Sequence, residues 1–269
     1  MDHKARTALA APLVAALVLS AAAANGATLR TLSGGDGAFN ALCAAGNAVG
    51  TGNQACEFAV GEMRTGAVGG AQTWEVGVQN PPGSPVSTRN YAWGNGAAQA
   101  FVFSFSGGTL TLAVGAAGAT QVVSTATGVD LGGMSSMFLR TRTAQEGFEG
   151  VKLFDMTVTG AAPGGGAVGV HDLPDLTSSA PGSTGAGYVQ VSDVDWSADW
   201  TLAGSIRFSW DPDLACPCGS NLNVNFKLTD LETLSGGPPS SVIPLPAAGW
   251  LLLSGVAGLG WLGRRRAVV

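Results

Sequence analysis

Carboxylates are the residues of this chain with the widest chemical reach. Asp172 and Asp175, Asp193-Val194-Asp195, Asp199 and Asp211-Pro212-Asp213 fall within one stretch of the sequence. Oxygen ligands gathered in loops suit a hard cation, and calcium is the metal such a set would take. Asp193, Asp195, Asp211 and Asp213 are its candidate ligands. The spacing matches neither a helix-loop-helix calcium loop nor a glycine-aspartate repeat. Solvated turn carboxylates are the plainer reading, so no cofactor is expected, with calcium the one these residues would accept. Paired acids would also suit glycoside cleavage. Trp196, Trp200 and Trp210 lie beside them. Exposed, these indoles would stack on sugar rings; buried, they would be core, the commoner fate of the residue.

Other chemistries find less support. A nucleophilic triad needs a base, and His171 is the sole histidine after His3. It sits in His171-Asp172-Leu173-Pro174, a loop-like setting, and no Gly-x-Ser-x-Gly elbow occurs. Gly164-Gly165-Gly166 has no lysine and no strand-to-helix setting, so it is no phosphate loop. The chain therefore reads as non-catalytic. Its four cysteines, Cys43, Cys56, Cys216 and Cys218, read as two disulfides in an exported protein. A Cys43–Cys56 bridge would close a loop of about 14 residues, worth roughly 3 kcal/mol in the chain-entropy model. A bridge across Pro217 alone would be strained, and the alternative asks Cys216 and Cys218 to reach the N-terminal pair. A zinc site would want further Cys or His ligands.

These residues need a scaffold, and composition points to β structure. Charged residues make up 12% of the 269, against 41 glycines and 13 prolines. Little charge with many turn formers suits an extracellular all-β chain better than a cytosolic enzyme or a charge-driven disordered segment. Period-two alternation marks half-buried strands. It places Trp74, Val76 and Val78 on one face, and Phe101, Phe103 and Phe105 on another. Leu110, Leu112 and Val114 follow the turn Ser106-Gly107-Gly108, giving a hairpin. Met137–Arg142 and Val151–Val158 are further strands, the latter with Phe154, Met156 and Val158 as its buried row. Ile206, Phe208 and Trp210 alternate with polar neighbours. Leu222, Val224, Phe226 and Leu228 alternate most cleanly of all, with Asn223, Asn225 and Lys227 between them. A short helix is expected around Phe39–Ala45. Eight to ten strands with Gly-rich turns predict a β-sandwich or jelly-roll-like domain over residues 28–234. Residues 161–166 are a long turn or a boundary, and one domain is preferred.

Both ends are specialised. Residues 1–27 have a basic start (Lys4, Arg6), an almost wholly apolar stretch from Thr7 to Ser20 and small residues at 21–24, the parts of a cleavable secretory leader. At the other end no charge occurs between Glu232 and Arg264. Residues 235–241 form a Gly/Pro/Ser linker. Ala247–Gly263 is then an apolar run, closed by Arg264-Arg265-Arg266. As a helix the run spans about 25 Å, close to a hydrocarbon core of about 30 Å. Trp250 and Trp261 lie near its ends, where indoles favour the headgroup boundary, and the arginines keep the last residues cytoplasmic. Pro244 and Pro246 cannot extend the helix upstream, so the preceding peptide stays extended, the shape a protease cleft needs.

At Pro244-Leu245-Pro246-Ala247, the apolar run and Arg264–Arg266, the chain resembles the PEP-CTERM class of sorting signals, in its VPLPA-type variant. Ile243 stands where that variant has Val. The resemblance implies recognition of residues 242–269 by an exosortase-type membrane protease or transpeptidase of a Gram-negative bacterium. It also implies passage across the inner membrane, transient anchoring there, and a destination at the cell surface or beyond, among surface polysaccharide. Of 18 acidic and 13 basic residues, the leader holds one acid and two bases, and the tail three bases. The remaining body carries 17 against 8 and would repel nucleic acid. The function expected is that of a structural or adhesive surface protein. The alternative is a secreted carbohydrate-binding module or calcium-dependent glycan-active enzyme.

Overall fold

The computed structural model describes residues 26–45, 56–66, 74–80, 85–115, 121–143, 150–179, 186–213 and 222–231. The leader up to residue 25, Cys216, Cys218, the linker 235–241, and the tail with Pro244–Ala247 and Arg264–Arg266 lie outside them. Among the described residues the chain is all-β, with two antiparallel sheets and one helix.

In chain order the elements are β1 (Thr28–Thr31), α1 (Gly35–Ala45), β2 (Glu57–Arg64), β3 (Val76–Gln79), β4 (Pro85–Arg89), β5 (Ala98–Ser106), β6 (Thr109–Val114) and β7 (Val122–Thr127). They continue as β8 (Ser136–Thr143), β9 (Gly150–Ala161), β10 (Ala167–Leu173), β11 (Leu176–Ser178), β12 (Gly187–Ser192), β13 (Trp200–Ser209) and β14 (Leu222–Thr229). The first sheet has the order β1-β12-β8-β14-β2-β3-β4. The second runs β10-β9-β13-β5-β6-β7, with β11 also paired to β9. The last described strand, β14, is therefore sandwiched between β8 and β2 in the middle of its sheet.

The predicted hairpin is present. Ser106 pairs with Thr109, and Gly107 and Gly108 turn the chain at φ 54° and 75°, the left-handed pair that a two-residue hairpin loop demands. Phe101, Phe103, Phe105, Leu110, Leu112 and Val114 all point into the core. Across the core Phe226 of β14 stacks on Phe101 and Phe103, with ring centroids 5.1 and 5.3 Å apart. Gly61 of β2 makes room for this: a Cβ there would stand 2.8 Å from the Phe103 ring. Trp196 and Trp200 are buried in the same core, 0% and 2% exposed.

Three departures from the sequence reading have local causes. β7 shows no apolar row because its buried positions are Ser124 and Ala126; Val123 points outward. In β9 the buried row changes parity. Asp155 takes φ 50°, and Phe154 and Thr157 pair with Ser205 and Ala203, leaving two residues opposite one. This bulge buries Val151 and Leu153 before it and Met156 and Val158 after it. Phe154, expected inside, instead lies between Lys152 and Arg207, whose charges sit 5.3 and 5.4 Å from its ring. His171 and Asp172, expected in a loop, belong to β10. Residues 161–166 form the turn joining β9 to β10 in one sheet.

One flank of the two layers is tied by a hydroxyl. Ser124 on β7 donates to Ser87 O at 2.6 Å and accepts from Val78 N at 3.1 Å. It joins the second sheet to β3 and β4 of the first, where the β3–β4 register slips between Val78 and Gln79. Ser124→Ala leaves a buried N–H and a carbonyl unmatched. It is expected to lower stability by about 1–3 kcal/mol, read as a shifted urea midpoint with unchanged slope.

Candidate functional site

Alternation along β14 predicts one buried face and one wet face. Both are buried, and the second is polar: Asn223, Asn225 and Lys227 are each less than 10% exposed. Strand register explains the company they keep. Tyr188 of β12, Arg140 of β8, Asn225 of β14 and Glu62 of β2 are direct partners across four neighbouring strands. Neighbouring strands lie about 4.8 Å apart, so their side chains meet. Phe138, Lys227, Val60 and Gln79 form the adjacent row.

Helix α1 covers this outer face. Its Phe39 stacks on Tyr188 and meets Phe138 edge-on, both at 5.1 Å between centroids. These rings, with Cys43, Cys56 and Ala186, form a second small core outside the sheet. Phe39, Leu42 and Cys43 share one helical stripe, the spacing that lets a helix bury one side. The Cys43–Cys56 disulfide, with Cα atoms 5.0 Å apart, fastens the helix to the start of β2.

The polar groups bond to one another in a chain that crosses the elements. Arg140 Nε and Nη2 donate to the two oxygens of Asp36, in the first turn of α1, at 2.7 and 2.6 Å. Its Nη1 donates to Asn223 Oδ1 and Asn225 Oδ1 at 2.9 and 2.8 Å. Tyr188 Oη donates to Asp36 at 2.8 Å. Asn223 in turn donates to Glu62 at 2.5 Å, and Gln79 to the other Glu62 oxygen at 2.6 Å. Arg64 approaches Glu62 at 3.6 Å and lies over the Trp74 ring, 3.3 Å from its centroid. Lys227 pairs with Glu57 and sits 4.6 Å from the Phe39 ring.

The electrostatics differ sharply from one carboxylate to the next. Burial pushes the Asp36 carboxyl up, but the hydrogen bonds and charge of Arg140 and the Tyr188 hydroxyl outweigh it, holding Asp36 below its ordinary value. At Glu62 burial wins over Arg64 and Asn223, and the carboxyl is raised. Burial likewise lowers Lys227 against the pull of Glu57. Between these groups a cavity of about 230 Å³ remains, lined by Asp36, Asn40, Arg142, Lys227 and their neighbours.

The acids singled out from the sequence lie elsewhere. Asp195 accepts from Ser197 N and Oγ at 3.1 and 2.5 Å, and its own N–H bonds to Ala161 at one end of β9. Asp193 is exposed beside it, at φ 62°. Asp211 accepts from Asp213 N at 2.9 Å, just past Ser209, which pairs with Gly150 at the other end of β9. A strand of 12 residues spans about 36 Å from first to last at ~3.3 Å per step, so the two pairs cannot share an ion. Among the described residues no group of three or more His, Cys, Asp or Glu is placed to hold a metal. Asp199 caps the β5–β6 turn through Ser106 Oγ and Gly107 N, and Asp175 pairs with Lys152 at 2.6 Å. Trp196 and Trp200 are core, while Trp210 is half-buried beside Asn95.

The sequence reading passed over Asp36, Glu62 and Arg140. Their signal was faint: polar or charged residues at alternate positions of β2, β8 and β14 and one acid in the first turn of α1, which become neighbours only once the strand order is known. Among the described residues no helix is long and apolar enough to cross a membrane; the run 247–263 lies outside them. Neither the protein-family models nor the curated proteins compared with the chain match it.

Opposite shifts predict opposite pH behaviour. Asp36, held low, contributes stability that is present above the ordinary Asp range near pH ~4 and is lost as acid titrates the folded carboxyl. Asp36→Asn strands Arg140 and is expected to cost about 3 kcal/mol at pH 7 and much less in acid. Glu62, held high, takes up its proton in the folded state first, so its penalty fades as pH falls through the folded value. Glu62→Gln leaves Arg64 without its carboxylate and turns an amide N–H toward Asn223 or Gln79. It also removes a charge that burial disfavours, so it is expected to cost less than Asp36→Asn at pH 7. Urea unfolding of both variants between neutral pH and acid checks the pair.

Proposed function

We propose that the protein is an exported, non-catalytic surface or matrix protein whose C-terminal tail is the substrate of an exosortase-type membrane protease or transpeptidase. The observation that carries this reading is an ordered triplet in the sequence. A stiff Pro244-Leu245-Pro246-Ala247 segment comes first, an apolar run to Gly263 second, and Arg264–Arg266 last. The run is long enough to sit in lipid with modest mismatch. Three guanidinium groups oppose its withdrawal through the bilayer and hold the tail inside. The prolines present extended backbone to a cleft. The leader at residues 1–27 supports export, and so does the Cys43–Cys56 disulfide, a bond favoured by oxidising compartments. The β domain of residues 28–234 is then the cargo, a sandwich-like body delivered to the cell surface or released among surface polysaccharide.

Processing tests the assignment. In cells that carry the sorting enzyme, Pro244→Ala with Pro246→Ala is expected to leave an uncut, membrane-held precursor. Replacing Arg264, Arg265 and Arg266 by Gln is expected to weaken retention or scramble orientation, seen by protease accessibility of the tail. Mass spectrometry of the parent from its own envelope should find a mature C-terminus upstream of Ala248. The reading fails if both variants are cut and released like the parent.

A further inference from the structure

The cavity beneath α1 has walls whose hydrogen bonding is unbalanced, and the imbalance has a sign. Arg140 and Asp36 satisfy each other and are closed to a guest. Arg142 is different. Among the described residues its Nε is buried with no hydrogen bond, and the nearest carboxylate oxygen, on Asp36, is 4.0 Å away, too far for one. Its side chain is 37% exposed, against 17% for Asp36, 9% for Arg140 and 11% for Lys227, so it stands where the cavity meets solvent. Asn225 spends its carbonyl oxygen on Arg140 and retains its amide N–H groups. Lys227 gives one N–H to Glu57 and has two more. Spare donors thus outnumber spare acceptors, of which the second oxygen of Glu57 is the chief.

We propose that this cavity is a binding site for a small carboxylate-bearing, hydroxyl-rich molecule, of the class of a sugar acid. The guest's carboxylate meets the Arg142 fork, a geometry guanidinium groups are built to match. Its hydroxyls accept from Asn225 and Lys227, and one donates to Glu57. An apolar guest would leave those donors buried and unmet. A dianion such as phosphate would face Asp36, Glu57 and Glu62 on the same walls with one cation among the described residues of the cavity, Arg142, lacking a close partner; a monoanion matches it. The volume of about 230 Å³ falls short of the ~300 Å³ at which pockets for drug-sized molecules begin, which limits the guest to about one ring. The site rests on residues 36–227 and stands apart from the sorting tail, so either proposal can fail alone.

Calorimetric titration of the full chain in mild detergent tests it, with glucuronate, glucose, acetate and inorganic phosphate as the probes. Glucuronate is expected to bind about tenfold tighter than glucose or acetate, the worth of one charge-assisted hydrogen bond. Arg142→Gln should remove that preference with an unchanged unfolding midpoint, and Arg142→Lys should restore part of it. Asn40→Ala removes a cavity-lining side-chain amide that makes no hydrogen bond among the described residues and sits in a helix where Ala is favoured. It should weaken glucuronate several-fold and leave the fold intact, which keeps the test sound if Arg142 variants misfold. Absence of binding at millimolar glucuronate overturns the proposal. So does equal affinity for glucuronate and glucose, tighter binding of phosphate, or an Arg142→Gln protein that binds like the parent.

Discussion

A guanidinium is buried on the face of a sheet that a simple two-layer protein would leave wet. Arg140 sits at the middle of β8 and is 8% exposed. A charge there must be neutralised and its N–H groups all occupied, or it costs several kcal/mol. Asp36 answers it from the helix with both oxygens, and Asn223 and Asn225 answer from the next strand. Arg140 and those partners come from three separate parts of the chain, β8, α1 and β14. The pairing can therefore form only if α1 lies across the sheet and β14 enters between β8 and β2. Asp36 near the N-terminus of α1 is also where a helix dipole welcomes a negative charge.

Other contacts serve the same placement. Phe39 against Phe138 and Tyr188 gives the helix an apolar footing, and the disulfide holds its far end to β2. A buried ion network of this kind adds little net stability compared with an apolar filling. Its contribution here is to orientation: a helix slid by one turn would keep hydrophobic contact and leave Arg140 unpaired. The space left between the paired groups is mostly polar because most of its walls are the network's own side chains, with Val60 the aliphatic exception.

The two layers meet differently. Between them the core is aromatic, and glycine at position 61 lets the Phe103 ring approach β2. At the flank a single serine bridges sheet to sheet. The bulge at Asp155 lets one long strand pair β10, β11 and β13 while keeping its apolar residues inside on both sides of the irregularity.

Much of the inner core was legible from residue order alone. Alternation in β5, β6, β13 and β14 marks the side facing the other sheet, because a strand that buries one face repeats with period two. Gly107-Gly108 likewise announces its turn, since only positive φ closes a two-residue hairpin. The Cys43–Cys56 bridge was one of the pairings the sequence offered, and the folded chain forms it. Three things were decided only in the folded chain. Phe154 left the core because a bulge inverted its parity, which no local pattern records. Trp196 and Trp200 became core instead of an exposed platform because β13 pairs with β5 in one sheet and turns Trp200 to the buried side with Phe103 and Phe105, where Trp196 packs against it. The polar face of β14 became interior because strands distant in sequence and a helix converged on it. Opposite charges read as solvated wherever their partners are distant in sequence; it is tertiary proximity that turns Asp36, Glu62 and Arg140 into one site.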